Sequence, residues 1–110
     1  MKKKNRIKKA EEFQKLIKKG RKTVNHCFVF YYADKKEEEA RIGITLTKKM
    51  GNAVVRNHIK RQVRMMCHEL IDFKTFPYDG ILIVRFGYLS QDYEKNKKNL
   101  EKALNIATIK

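Results

Sequence analysis

The sequence predicts a single α+β domain, a small sheet with helices packed on it, in the order helix, strand, strand, helix, strand, helix. Three observations carry that expectation. The chain has 110 residues, the size of one compact core that buries roughly 60–70% of the surface its unfolded form exposes. Its hydrophobic content is 42%, with six Phe and five Tyr, more than a disordered basic tail carries. Apolar spacing switches along the chain between a helical period and a strand period, so the two kinds of element interleave.

Residues 1–9 (MKKKNRIKK) form a basic N-terminal arm, expected to be flexible. Ala10 to Lys19 reads as a helix: Phe13, Leu16 and Ile17 share a face, Glu11 and Glu12 suit its positive first turn, and Gly20 caps its end. His26 to Ala33 (HCFVFYYA) is rich in aromatic and branched residues and predicts a strand. After the polar turn Asp34–Glu39, residues 40 to 47 alternate, with Ile42, Ile44 and Leu46 on one side and Arg41, Gly43, Thr45 and Thr47 on the other. These two strands are expected to pair as a hairpin.

Asn52 is a plausible N-cap for the next element. From Ala53 to about Asp72, Val55, Ile59, Val63, Met66 and Leu70 recur at spacings of three and four, which predicts an amphipathic helix of about five turns. Arg56, Asn57, Lys60, Arg61 and Arg64 fill an arc beside that apolar stripe. Ile81 to Val84 is apolar on both faces and reads as a fully buried strand. A last helix is expected to start from a cap at Ser90, with Tyr93, Leu100, Leu104 and Ala107 on its apolar side.

The net charge is +15, and it is regional. Through Arg64 there are 20 basic and 6 acidic residues; the remainder has 7 and 6. Between Glu39 and Glu69 no acidic residue occurs, while Arg41, Lys48, Lys49, Arg56, Lys60, Arg61 and Arg64 all do. A solvated face normally mixes signs, because interspersed carboxylates relieve self-repulsion. An unrelieved positive stretch inside a folded segment implies a polyanionic partner, and nucleic acid is the commonest one.

Other function classes find little support. No run approaches the ~20 apolar residues of a membrane span, and the basic N-terminus leads into EEF rather than an apolar signal core, so the cytoplasm is the expected location. The two cysteines, Cys27 and Cys67, lack a CxxC spacing and read as reduced, packed thiols, with no metal expected on the protein. There is no GxSxG, no Walker loop and no HExxH. His58 and His68 could in principle act as acid and base in a protein-only nuclease. His58, however, sits among cations, where phosphate binding explains it equally well.

The informative stretch runs from Thr47 to Arg64, TKKMGNAVVRNHIKRQVR. Lys48 and Lys49 lead into a helix N-terminus whose free N–H groups favour phosphate, and Arg56, Lys60 and Arg64 project along one side. Asn57 can donate and accept in the same arc, as a base edge or 2′-hydroxyl requires. An aromatic flanked by lysines, such as Phe13, suits single-strand binding by stacking and charge. Core packing is the simpler account of Phe13 and Tyr31 taken by themselves.

This stretch resembles the bacterial ribonuclease P protein subunit, whose signature is an Arg-Asn-Arg-type helix preceded by Lys-Lys-hydrophobic-Gly-Asn-Ala. The similarity covers most of the chain, from Asn5-Arg6-Ile7-Lys8-Lys9 and Glu12-Phe13-Gln14-Lys15 through Phe28-Val29-Phe30-Tyr31 and Arg41-Ile42-Gly43 to the strand after Gly80. Two departures are visible: His58 stands where the family usually has the second Arg, and Ile17 takes a position often held by Phe.

The resemblance implies an RNA-based enzyme of tRNA 5′ maturation. Its catalytic centre, with magnesium ions, belongs to the RNA subunit, and the protein contributes no catalytic residue. Carried over by position, Lys48, Lys49, Arg56, Asn57, Lys60, Arg61 and Arg64 would contact the RNA subunit. Arg6, Lys9, Phe13, Ile17 and Tyr31 would line a cleft for the 5′ leader of precursor tRNA. No obligate protein partner is implied. The resemblance also implies a left-handed crossover between the 40–47 and 81–86 strands, although roughly 98% of such connections are right-handed. A ribosomal or other structural RNA-binding protein is the alternative.

Overall fold

A computed structural model describes residues 1–108. Its elements are α1 (Ala10–Lys19), β1 (Arg21–Val24), β2 (Phe28–Asp34), β3 (Ile42–Thr45), α2 (Ala53–Leu70), β4 (Tyr78–Val84) and α3 (Tyr93–Thr108). Short 3-10 turns occupy Lys3–Asn5, Lys48–Met50 and Phe86–Ser90. The fold is the α+β architecture that the alternating periods predict.

The sheet differs from the expected hairpin. Its order is β1-β2-β4-β3, with β1–β2 and β2–β4 antiparallel and β3–β4 parallel. β4 therefore lies between the two strands expected to pair. The cause is burial: Ile81 to Val84 is apolar on both faces, and the strand that sheds most apolar surface from both sides belongs in the centre. The shorter β3, with Gly43 and Thr45 on one face, takes the edge. β1 was not expected at all. It is a four-residue strand, RKTV, in which only Thr23 is buried, its hydroxyl donating to the Ala103 carbonyl at 3.4 Å.

One sheet face carries the core. Phe28, Phe30, Ile42, Leu82 and Val84 pack against Ile59, Val63, Met66 and Cys67 of α2 and Leu100, Ala103, Leu104 and Ala107 of α3. Each large side chain buried this way contributes ~1.5–3 kcal/mol. Val55, expected in that stripe, is instead 39% exposed and lies against Gly51 at the start of α2. Asn52 caps α2 as its sequence suggests, its Oδ1 accepting from the Val55 N–H at 3.0 Å. The α3 cap moves two residues from the expected Ser90: Asp92 Oδ1 accepts the Lys95 N–H at 2.9 Å, while Ser90 closes the preceding 3-10 turn by donating to the Gly87 carbonyl.

Both cysteines are buried and unpaired. Burial pushes the Cys67 thiol up to about 12, and the Cys27 thiol is raised for the same reason.

The N-terminal arm makes defined contacts with the rest of the fold. Asn5 is buried and its side-chain amide donates to the Ala40 carbonyl at 3.0 Å and to Glu39 at 3.3 Å. Arg6 forms a parallel bridge to Ile42, and the Ile7 N–H donates to the Ile42 carbonyl. The arm thus covers the outer edge of β3, which would otherwise offer unpaired backbone groups. Among the described residues, α1 is the one helix on the second sheet face, and it has no fully buried residue. Much of that face is left open.

Candidate nucleic-acid interface

Two separate surfaces gather the residues that the sequence singles out. The first lies along α2. Lys48 and Lys49 are exposed on the 3-10 turn that precedes the helix, and Asn57 and Arg61 are exposed on its outer side. Arg56, Lys60 and Arg64, at four-residue spacing, are half-buried along one flank. Among the described residues, none of these six cations has a carboxylate within ion-pair distance. The Nε of Arg56 is buried without a hydrogen-bond partner.

Arg41, the other cation of the acid-free stretch, does not belong with them. Its guanidinium reaches Glu12 at 2.7 Å, Glu37 at 3.1 Å and Asp79 at 3.2 Å. Charge counting along the chain could not show this, because two of the three carboxylates come from other elements.

Arg6 also changes company. The resemblance places it in the leader cleft, but its side chain lies on the α2 side of the sheet edge. There it lines a hollow of about 110 Å³ with Lys8, Ile42, Ile44 and Arg64. Residues 42 and 44 point to the core face, so the parallel pairing of Arg6 with Ile42 settles the side. Burial, and then the neighbouring charge of Arg6, lower the Arg64 pKa. Two guanidiniums held together with no acid between them extend the cationic flank of α2 onto the arm.

The second surface is the open sheet face. Phe13 stands over Gly43 and Ile81, close enough that a Cβ built on Gly43 would lie 2.6 Å from Phe13 Cζ. Ile17 is 38% exposed one turn further along α1. Tyr31 is half-buried in β2, directly across from Ile81, with the Lys22 ammonium over its ring at 6.0 Å. Lys9 sits exposed at the first turn of α1, where its carbonyl accepts from the Glu12 and Phe13 N–H groups. Val29, Ile83 and Thr45 floor the rest of this face, paired in register across β2, β4 and β3.

Alternation along β4 adds a residue that the sequence reading missed. Ile81 and Ile83 face the cleft, so Arg85 continues that series just past the strand, and it donates to the Asn25 carbonyl at 2.7 Å on the rim. The period-2 spacing from Ile81 was sufficient to find it. The face therefore combines half-buried aromatic rings and partly exposed aliphatic surface with cations at its margins, the ingredients of a stacking platform for single-stranded nucleic acid.

The histidines do not assemble. His58 and His68 are both exposed on α2, ten residues apart, which is ~15 Å along a helix. They cannot address one phosphate together. Among the described residues, no group of three or more His, Cys, Asp and Glu side chains is placed to hold a metal ion. No helix among them is long and apolar enough to cross a membrane.

Comparison with known proteins gives the family. Residues 1–108 match the family model described as Ribonuclease P. The ribonuclease P protein component of a Bacillus cereus strain is 48% identical over 101 residues, covering 91% of this chain and 88% of that protein. The corresponding protein of a Streptococcus agalactiae strain is 43% identical over 111 residues, covering 99% of both. The structure of Staphylococcus aureus RNase P protein superposes with a TM-score of 0.84 at 36% identity, over 96% of each chain. By sequence over nearly its whole length and by fold, the chain belongs to the ribonuclease P protein family.

Proposed function

We propose that this chain is the protein component of ribonuclease P, the RNA-based endonuclease that removes the 5′ leader from precursor tRNA. The cationic flank formed by Lys48, Lys49, Arg56, Asn57, Lys60, Arg61 and Arg64, continued by Arg6, binds the RNA subunit. The open sheet face under α1, with Phe13, Ile17, Tyr31 and Lys9, takes the single-stranded leader of precursor tRNA. Cleavage belongs to the RNA and its magnesium ions; the protein supplies affinity and placement in the cytoplasm, where precursor tRNA is made.

The single observation that carries this reading is the division of the cations. Arg41 is neutralised inside the protein, whereas the six along α2 are left without acid partners. Keeping that much like charge on one flank destabilises the free protein, and a polyanion offsets the cost. The open apolar face lies on the other side of the sheet, so one molecule can hold two RNAs at once.

Reconstitution tests it. The chain mixed with a ribonuclease P RNA subunit should cleave a leader-bearing precursor tRNA at magnesium concentrations where the RNA alone is inactive. If the mixture is no more active than the RNA, and RNA copurifying with the chain is mainly ribosomal, the alternative of a structural RNA-binding protein is correct.

A further inference from the structure

α1 forms one wall of the leader cleft, yet it is weakly held. None of its residues is fully buried, and beneath one flank lies a solvent-open groove of about 300 Å³ lined by Leu16, Lys19, Ala33, Lys36, Arg41 and Asp79 among others. Apolar contact is concentrated at Phe13, over Gly43, and leaves that other flank open. On that same flank the helix is tied to the sheet by charge. Arg41 donates to Glu12 at 2.7 Å and to Asp79 at 3.2 Å, and the Asp79 carboxylate also accepts the Arg41 backbone N–H at 2.9 Å. Asp79 is 3% exposed, so its end of the tether is rigid. The Arg41 guanidinium holds the Glu12 carboxyl below the usual carboxylate range.

The tether and the cleft are adjacent in the chain at both ends. Glu12 precedes Phe13, and Arg41 lies two residues before Gly43, the residue on which the Phe13 ring rests. We infer that Arg41 and Glu12 are positioning residues for the precursor's leader: their ion pair fixes α1 over the sheet and so sets the height of Phe13 above the cleft floor. Neither side chain needs to touch RNA. Without the pair, that flank of α1 borders only an open groove, and a surface helix with few buried contacts moves more readily than a packed core element.

This inference rests on the sheet face being the leader's site. The experiment therefore uses the reconstituted holoenzyme with two precursor tRNAs, one with a single-nucleotide leader and one with a leader long enough to cross the sheet. The wild-type chain should give the long-leader substrate a lower KM. Glu12→Ala should raise the long-leader KM about fivefold, as coupled neighbouring charges do, while leaving kcat and the short-leader KM unchanged. Glu12→Gln, which keeps an acceptor for Arg41, should restore most of the affinity.

A purely structural role would lower the active fraction and reduce kcat for both substrates alike, and that result overturns the inference. So does a long-leader KM that Glu12→Ala leaves unaltered. If the wild-type chain shows no leader-length effect, the cleft assignment fails first and the positioning role falls with it.

Discussion

The Phe13 ring fills the space that any side chain at position 43 would need: a Cβ on Gly43 would lie 2.6 Å from Phe13 Cζ and 2.9 Å from Ile81 Cδ1. The backbone of Gly43 has no positive φ, so glycine serves here for close approach of α1 to β3, not for a turn. Gly43→Ala should push the ring, and α1 with it, away from the sheet. The expected cost is ~1–3 kcal/mol, as for an overpacked site, with a matching fall in affinity for long-leader precursor tRNA. Denaturant melts and substrate titrations of the holoenzyme check both.

The Arg6–Arg64 pair makes a prediction with two opposite signs. Arg64→Gln removes one of two cations that oppose each other in the free protein, so the free chain should lose no thermal stability. Binding to the RNA subunit should nevertheless weaken, and the slope of log affinity against log salt should become shallower by about one unit. Lys60→Ala should show the same change of slope. A slope unaltered in both variants would mean that this flank is only solvated.

Stability should fall on the alkaline side. Burial holds the Cys67 thiol at about 12 against an ordinary 9.0, so the fold favours its neutral form. The unfolded chain releases that proton near pH 9; the contribution is complete below that value and is lost as pH rises towards 12. Burial shifts Cys27 and Tyr88 in the same direction. Melting temperature measured from pH 8 to 11 should decline, and Cys67→Ala should flatten the decline.

Most of the fold was legible in the sequence, as were most of the residues that the two candidate surfaces gather, and the failures have physical causes. The long helix α2 could be read because eighteen residues repeat one period, and its Asn52 cap because an Asx side chain at that place has one main use. β1 is too short and polar for any period to show. The insertion of β4 between β2 and β3 depends on which strand has most apolar surface to hide, a comparison across the whole chain that local alternation does not make. Ser90 and Asp92 are both good caps; the choice between them turned on a 3-10 turn with no strong sequence signature.

The side chains tell the same story. Arg41 and Arg64 look alike in sequence, both cations in a stretch free of acid. Only the sheet register, which brings Asp79 beside Arg41, separates a cation paired inside the protein from one left without an acid partner among the described residues. The family resemblance puts Arg6 in the cleft with Lys9 and Phe13. Its bridge to Ile42 turns it to the other side of the sheet.

The two-surface account is tested most directly by locating the leader on the assembled enzyme. A precursor tRNA carrying a photoreactive nucleotide within its leader, bound to the chain and its RNA subunit, can be cross-linked and the modified peptide identified. The account predicts cross-links on the sheet face, at Phe13, Ile17, Tyr31 or Ile83, with α2 untouched. Cross-links confined to the stretch from Lys48 to Arg64 would contradict it.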